Sequence, residues 1–138
     1  MKSVYVFGPI HLFGENYLEF YRRVNTLCGE YFDRVVGTYP DFWETNETPR
    51  EFYDRTYETI TKLDLFIGEV SSPSWGVGME FQMAEEYDIP CIALCREGSE
   101  TSSMIRGVPC LKQLIYYADV EDAVRKLEPI LKDFASDE

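Results

Sequence analysis

The chain alternates short β-type runs with longer helical patterns throughout its length, and this alternation limits the folds open to it. Such an order is typical of an α/β domain with a mainly parallel sheet. The third run, Asp64–Val70 (DLFIGEV), is almost continuously apolar, as expected for a strand covered on both faces. Strands are predicted over residues 3–7, 34–38, 64–70, 89–95 and 113–117.

Helical patterns separate these strands. Leu18, Tyr21, Val24 and Cys28 are spaced to share one face of a helix, and Thr48 followed by Pro49 marks the start of the next. Residues 39–48, 71–75 and 96–109 are predicted to be loops. Helices are predicted over residues 16–31, 49–63, 76–87 and 120–134.

We therefore predict one domain over residues 1–138, a three-layer, doubly wound α/β fold of the flavodoxin-like or Rossmann-like kind. Its five strands, mainly parallel, are expected in the order 2-1-3-4-5. In that order the chain reverses direction between strands one and three, and ligands bind outside the carboxyl ends of those strands. Residues 8–13 and 71–80 should then face each other across a crevice.

Composition excludes several classes of function. Thirteen Lys and Arg against 25 Asp and Glu give a net charge of −12, which disfavours a nucleic acid polymer as partner. No apolar run is long enough to span a membrane, and the N-terminus lacks the pattern of a signal peptide. With one His and four Cys lacking a CxxC pair, we expect reduced thiols, no metal, no cofactor and a cytoplasmic protein.

The segment Ser71–Glu80 (SSPSWGVGME) is the strongest candidate for a binding loop. Hydroxyls and glycines lead directly into a helix, whose first amide groups attract anions. Ser74 is placed to cap that helix or to donate to an anion, and Gly76 and Gly78 permit close approach of a ligand. An ordinary capped helix start would have the same pattern.

Two side chains near this crevice are candidates for chemistry. Glu80 has Val77, Met83 and Ala84 as helical neighbours, and a carboxylate on an apolar face is costly unless it is paired or hydrated. The alternative role of Glu80 is only to satisfy amides at the helix start. Tyr5 lies near the carboxyl end of the first strand, where its phenol either reaches the crevice or belongs to the core.

Two further segments contain possible phosphate donors. His11 follows the first strand, although a lone loop histidine is more often merely exposed. Residues 102–107 (SSMIRG) combine hydroxyls, an arginine and a hydrophobic pair. This composition suits contact with a phosphate or with another subunit, and it also suits a polar surface loop.

Together these segments resemble the nucleoside 2-deoxyribosyltransferase family, most nearly its 2′-deoxynucleoside 5′-phosphate N-hydrolase branch. The matching runs cover nearly the whole domain in the same order, and Pro-Ser-x-Gly-Val-Gly-x-Glu is the most specific of them. They are Val4–Ile10 (VYVFGPI), Asp64–Glu80 (DLFIGEVSSPSWGVGME) and Ser102–Gly107 (SSMIRG).

The resemblance implies roles for individual residues. Glu80 falls on the nucleophile and Tyr5 on the tyrosine that assists it, while Ser74 matches a serine that contacts the 5′-phosphate. Ser102 matches a serine that the neighbouring subunit supplies, which implies a homodimer. The substrate-binding residues expected on this basis are Gly8, Ile10, His11, Ser74, Trp75, Gly76, Gly78, Ser102 and Met104, with Trp75 either stacking on the base or serving as a hydrophobic lid.

The reaction implied is hydrolysis of the N-glycosidic bond of (deoxy)nucleoside 5′-monophosphates. Glu80 forms a covalent glycosyl intermediate, and free base and sugar 5-phosphate are released. The helix N-terminus and a Tyr5 hydrogen bond are expected to keep Glu80 ionised at neutral pH. Alternatives are a nucleobase-exchanging transferase, a non-catalytic nucleotide-binding or sensor domain, and a glycohydrolase acting on ribonucleotides or NAD-like dinucleotides.

The sequence departs from the family pattern at two positions. Thr56 stands where the family has an aspartate thought to handle the leaving base, and a hydroxyl cannot supply a titratable proton. Asp54 should point to the opposite side, because two helical steps turn about 200°. His11 replaces an arginine often found in the phosphate-binding branch, so any charge there would depend on pH.

Overall fold

The computed structural model describes residues 2–9, 11–12, 14–37 and 46–136. Its main feature is a five-stranded sheet in which every pairing is parallel. The strand order is β4-β1-β5-β6-β7. The strands are β1 (Ser3–Phe7), β4 (Arg34–Gly37), β5 (Leu65–Glu69), β6 (Cys91–Arg96) and β7 (Leu111–Tyr117).

This order is the predicted 2-1-3-4-5, because β1 lies between β4 and β5. Every residue of β5 is buried, as its apolar sequence predicts. The switch point of the sheet therefore lies at the carboxyl ends of β1 and β5, where Val6 pairs with Ile67 and Phe7 with Gly68.

Helices cover both faces of the sheet. Inward residues of α1 and α5 pack on Val4, Val6 and Ile67, whereas those of α2 and α3 pack on Tyr5 and Phe66. This alternation follows from the two-residue period of a strand. The helices are α1 (Leu18–Gly29), α2 (Pro49–Ile60), α3 (Trp75–Glu86), α4 (Ser103–Gly107) and α5 (Val120–Ser136).

The structure corrects the sequence predictions at two places. The first helix begins at Leu18, because Asn16 belongs to a small antiparallel hairpin of β2 (His11–Leu12) and β3 (Glu15–Asn16). The predicted loop 96–109 contains the short helix α4. The predicted loop over residues 39–48 lies mostly outside the described residues.

Cysteine behaves as predicted. All four cysteines are free and buried, and Cys91 and Cys95 point to the same side of β6. The Sγ atoms of Cys91 and Cys110 lie 3.4 Å apart as thiols. The cysteines therefore serve as core residues rather than as cross-links.

Candidate active site

A tyrosine and a glutamate meet in the interior beside the switch point. Tyr5, from β1, donates a hydrogen bond to Oε2 of Glu80, from α3, over 2.9 Å. Glu80 is 3% exposed and Tyr5 is completely buried. The other oxygen, Oε1, has no hydrogen-bond partner among the described residues. A buried carboxyl group with one atom held and the other unpartnered is suited to react with a bound ligand.

Burial sets the protonation of Glu80. It raises the pKa of Glu80 from 4.5 to about 8, and the hydrogen bond from Tyr5 opposes this rise only in part. The prediction that the helix N-terminus and Tyr5 keep Glu80 ionised at neutral pH is therefore wrong. Desolvation outweighs the hydrogen bond, because a single donor does not replace the lost water.

The same pKa shift predicts that Glu80 reduces stability as pH rises. The folded protein binds this proton more tightly than the unfolded chain does, so stability is lost progressively between about pH 4.5 and about pH 8, and the loss is complete above that range. The full cost is roughly 3–5 kcal/mol. Glu80→Gln, which cannot ionise, should therefore be the more stable protein near pH 9 but nearly equal to wild type near pH 5.

Denaturant unfolding at both pH values would measure this effect, with Glu86→Gln as the control. Glu86 lies on the same helix but is exposed. A Glu80→Gln stabilisation that is the same at both pH values would contradict the assigned proton affinity.

Tyr5 remains a hydrogen-bond donor throughout the ordinary pH range. Burial raises the pKa of its phenol far above the usual value, and the nearby Glu80 carboxyl raises it further, whereas Arg55 lowers it. Arg55 in turn binds Glu47 through two hydrogen bonds of 2.6 Å. Arg55 therefore lies close enough to act electrostatically on Tyr5, on the side of the site formed by α2.

Ser74 caps α3, as its position predicts. Its Oγ accepts a hydrogen bond from the Val77 amide over 3.3 Å, and its backbone is extended. The helix begins at Trp75, one residue before the predicted start. Because Oγ acts as acceptor to the helix, its proton is available to an anion. Gly76 is exposed, and at Gly78 an added Cβ would meet nothing within 4 Å.

A cavity of about 680 Å³ lies between the start of α3 and α4. Ser102 caps α4 by accepting from the Met104 amide over 3.0 Å. Trp75 is 92% exposed and Met104 is 84% exposed. The lining includes five of the predicted site residues, Ser74, Trp75, Gly78, Ser102 and Met104, but neither Tyr5 nor Glu80.

The predicted substrate-binding residues that follow β1 do not lie together at the cavity. Gly8 packs so closely that an added Cβ would lie 2.4 Å from the Tyr21 hydroxyl and 2.6 Å from Cβ of Glu69. Its lack of a side chain therefore serves contact within the protein. His11 is exposed on the hairpin, away from the cavity lining. Ile10 lies outside the described residues.

Thr56, the residue at the position of the family's aspartate, is buried in this chain. Thr56 is 4% exposed, and its hydroxyl oxygen has no partner among the described residues. Asp54 points outward and pairs with Arg50 over 3.0 Å, as the helical geometry predicts. No carboxyl group of α2 therefore replaces the absent aspartate.

Sequence reasoning missed a second buried carboxyl group. Glu69, the last residue of β5, is 1% exposed and accepts hydrogen bonds from the Ser71 amide and the Tyr117 hydroxyl. One signal was present in the sequence, a single charged residue in an otherwise apolar strand. The Arg55–Glu47 pair carried no such signal.

Within the described ranges the protein has neither a metal-binding cluster nor a membrane-spanning helix. No three His, Cys, Asp or Glu side chains within these ranges are grouped so as to hold a metal ion. None of the described helices combines the length and apolarity needed to cross a lipid bilayer.

Comparison of the whole chain with solved structures supports the fold. It superimposes on the CMP N-glycosidase BcmB of Clostridium botulinum with a TM-score of 0.73 and 20% identity, over 94% of this chain and 99% of that one. A 2-deoxyribosyltransferase of Bacillus psychrosaccharolyticus gives a TM-score of 0.64 and 15% identity, over 94% and 95%. At these identities the likeness concerns the fold alone.

Comparison with curated sequences identifies the family. No family model matches the chain. A relative from Thermofilum pendens is 40% identical over 64% of each chain, so the matched part is under two thirds of that protein. A relative from Methanosarcina mazei is 32% identical over 96% of this chain and 83% of its own. Both carry the provisional name 2′-deoxynucleoside 5′-phosphate N-hydrolase 1, and the chain belongs to this family of enzymes.

Proposed function

We propose that this protein hydrolyses the N-glycosidic bond of (deoxy)nucleoside 5′-monophosphates, with 2′-deoxynucleotides as the preferred class. The observation that carries the proposal is the buried Tyr5–Glu80 pair, in which Oε1 of Glu80 has no partner among the described residues. The names of the relatives from Thermofilum pendens and Methanosarcina mazei support the substrate class.

The first step forms a covalent intermediate. Oε1 of ionised Glu80 attacks C1′ of the sugar through an oxocarbenium-like transition state. A bond forms between C1′ and Oε1, and the bond from C1′ to the base nitrogen breaks. The base leaves with that electron pair and takes up a proton. Tyr5 holds Oε2 throughout, which fixes the direction of attack.

The second step releases the sugar. Water attacks C1′ of the ester and loses a proton to the solvent, the C1′–Oε1 bond breaks, and Glu80 recovers its electron pair as a carboxylate. The products are free base and sugar 5-phosphate. Since only the ionised carboxyl attacks, the pKa of about 8 makes the reaction faster as pH rises toward that value.

Ser74 is proposed to bind the 5′-phosphate. Its hydroxyl and the first amides of α3 provide hydrogen-bond donors and the positive end of a helix dipole. Ser74 lines the cavity proposed for the phosphate, and Ser102 of the same chain lines it too, although the resemblance assigns Ser102 to the neighbouring subunit's site. Such anchoring holds C1′ in line with Glu80.

A homodimer is proposed to complete this site. Trp75 and Met104 are large apolar side chains that lie almost fully exposed at the cavity. Exposed apolar side chains close together in this way support contact with a second copy of the chain. Sedimentation equilibrium should give twice the mass of the chain, and Met104→Glu should shift it toward the monomer with loss of activity. A wild-type monomer with full activity would contradict the dimer.

The direct test incubates the protein with each deoxynucleoside 5′-monophosphate and follows free base by chromatography. We expect base and 2-deoxyribose 5-phosphate in equal amounts. Addition of a second nucleobase separates hydrolysis from exchange, because a transferase would produce a new nucleotide. Parallel ribonucleotide reactions determine the preference at the 2′ position.

One observation favours a second candidate function, a non-catalytic nucleotide-binding domain. Because Thr56 stands in place of the family's aspartate, that position provides no acid to protonate the leaving base. In addition, Glu80 is mostly protonated at neutral pH. Calorimetry decides between the two functions. Binding of a deoxynucleotide without product at any pH up to about 9.5 would favour the binding domain, since Glu80 is ionised there.

A further inference from the structure

Glu69 forms a second buried network on the sheet face opposite Glu80. Its Oε1 accepts from the Ser71 amide over 2.5 Å, and its Oε2 accepts from the Tyr117 hydroxyl. Burial raises the pKa of Glu69, and the hydrogen bonds from Tyr117 and Ser71 oppose that rise. Burying a carboxyl group costs free energy, and the mechanism proposed above does not use this one.

The network fixes the start of the loop that precedes α3. Ser71 is held from two sides, because its amide donates to Glu69 and its Oγ accepts from the Arg96 amide over 2.6 Å. Only Ser72 and Pro73 separate Ser71 from Ser74. The position of the proposed phosphate-binding serine therefore depends on where Ser71 is held.

The same network reaches the loops that follow two other strands. After β1, Gly8 packs directly against Glu69, and the Tyr21 hydroxyl donates to the Pro9 carbonyl over 2.6 Å. At the end of β6, the Arg96 side chain binds Glu15 over 2.9 Å. Glu69 thus lies at the junction of the segments after β1, β5 and β6, all at the carboxyl edge where ligands bind.

We infer that Glu69 is a positioning residue that sets the phosphate-binding loop through Ser71, and so determines the preference for a phosphorylated substrate. The inference rests on the function proposed above. Glu69 itself does not touch the substrate, and its effect passes through the Ser71 amide to Ser74. The residue is therefore expected to act on phosphate recognition more than on bond cleavage.

The experiment compares a deoxynucleoside 5′-monophosphate with the deoxynucleoside that lacks the phosphate. Glu69→Ala should lower kcat/KM for the monophosphate by about 10- to 100-fold, chiefly through a higher KM, because misplacing a binding group by about 1 Å has effects of that size. The value for the unphosphorylated deoxynucleoside should change less than about threefold. Ser74→Ala should produce the same pattern.

Glu69→Gln serves as the conservative variant. Its amide oxygen still accepts from Ser71, and the Tyr117 hydroxyl accepts from the amide nitrogen and donates to Tyr17, 3.3 Å away. It should recover the phosphate preference to within about threefold of wild type. Glu128→Gln is the matched control, because Glu128 also accepts from a tyrosine, Tyr31, but lies on α5 and takes no part in the hydrogen bonds of Glu69 and Ser71.

Two results would overturn the inference. One is an unchanged kcat/KM for the monophosphate in Glu69→Ala, and the other is an equal loss of kcat/KM on both substrates, which a merely structural role would produce. If wild type releases no base, the proposed function fails, and calorimetry with the same monophosphate tests Glu69 separately. Glu69→Ala should then weaken binding by about 10-fold or more, and unchanged binding would reject the inference.

Discussion

Glu80→Ala is expected to lower the rate of base release from a deoxynucleoside 5′-monophosphate by about 10³-fold or more. Loss of a covalent nucleophile has effects of this size, because the remaining contacts only bind the substrate. Thr56, the buried residue at the position of the family's aspartate, has no carboxyl group that could take over the proposed attack. Chromatography of the free base measures the rate at about pH 8.5, where Glu80 is mostly ionised.

Glu86→Gln is the matched control for this variant, because Glu86 belongs to α3 but is exposed. It should retain the wild-type rate. Circular dichroism establishes that Glu80→Ala is folded, and nucleotide binding should persist within about tenfold, since Glu80 is proposed to bond to C1′ only during reaction. A folded Glu80→Ala protein with normal base release would reject the assignment.

Tyr5→Phe is expected to move the pH dependence of kcat/KM to higher pH. The tyrosine hydroxyl lowers the pKa of Glu80, so its removal leaves the carboxyl more strongly protonated. A hydrogen bond to a charged group is worth about 1.5–3 kcal/mol, which corresponds to a rise of about one pH unit or more. Near pH 7 activity should therefore fall at least about tenfold, with a smaller loss above the new pKa.

The measurement is a pH–rate profile from about pH 6 to about pH 10 with a subsaturating monophosphate. Wild type should rise through about pH 8, following the ionisation of Glu80. Tyr31→Phe is the matched control, because Tyr31 also donates to a glutamate, Glu128, over 2.8 Å. An unshifted or lower profile in Tyr5→Phe would show that the tyrosine does not stabilise the attacking form.

Much of the fold was predictable, because its signals are local. The apolar run around Ile67 requires a strand covered on both faces, and Ser74 and Thr48 stand where helices begin. The exceptions are short elements. The hairpin of β2 and β3 and the single-turn helix α4 depend on contacts with the rest of the chain, and so have no periodic pattern of their own.

The contact between Tyr5 and Glu80 was predictable only in part, and its electrostatics were not predictable. Helical spacing placed Glu80 on an apolar face, but strand alternation left Tyr5 either in the core or at the crevice, and only the family resemblance linked the two residues. The proton affinity of Glu80 depends instead on how completely α2, α3 and the sheet exclude water from it. Spacing along one helix contains no information about that exclusion.

The hydrogen-bond partners of Glu69 were also not predictable from local sequence patterns. Its charge within β5 was visible, but its partners Ser71 and Tyr117 are 2 and 48 residues away. Only the parallel order of β5, β6 and β7 brings Tyr117 to it. A network of this kind follows from topology, so it appears only once the strands are in place.

The most direct test of the account is acid quenching of the protein during turnover of a deoxynucleoside 5′-monophosphate, followed by peptide mass spectrometry. We predict a deoxyribose 5-phosphate ester on the peptide that contains Glu80, formed with release of base and absent in Glu80→Ala. Steady release of base with unmodified Glu80 at every quench time, or an ester on another residue, would contradict the account.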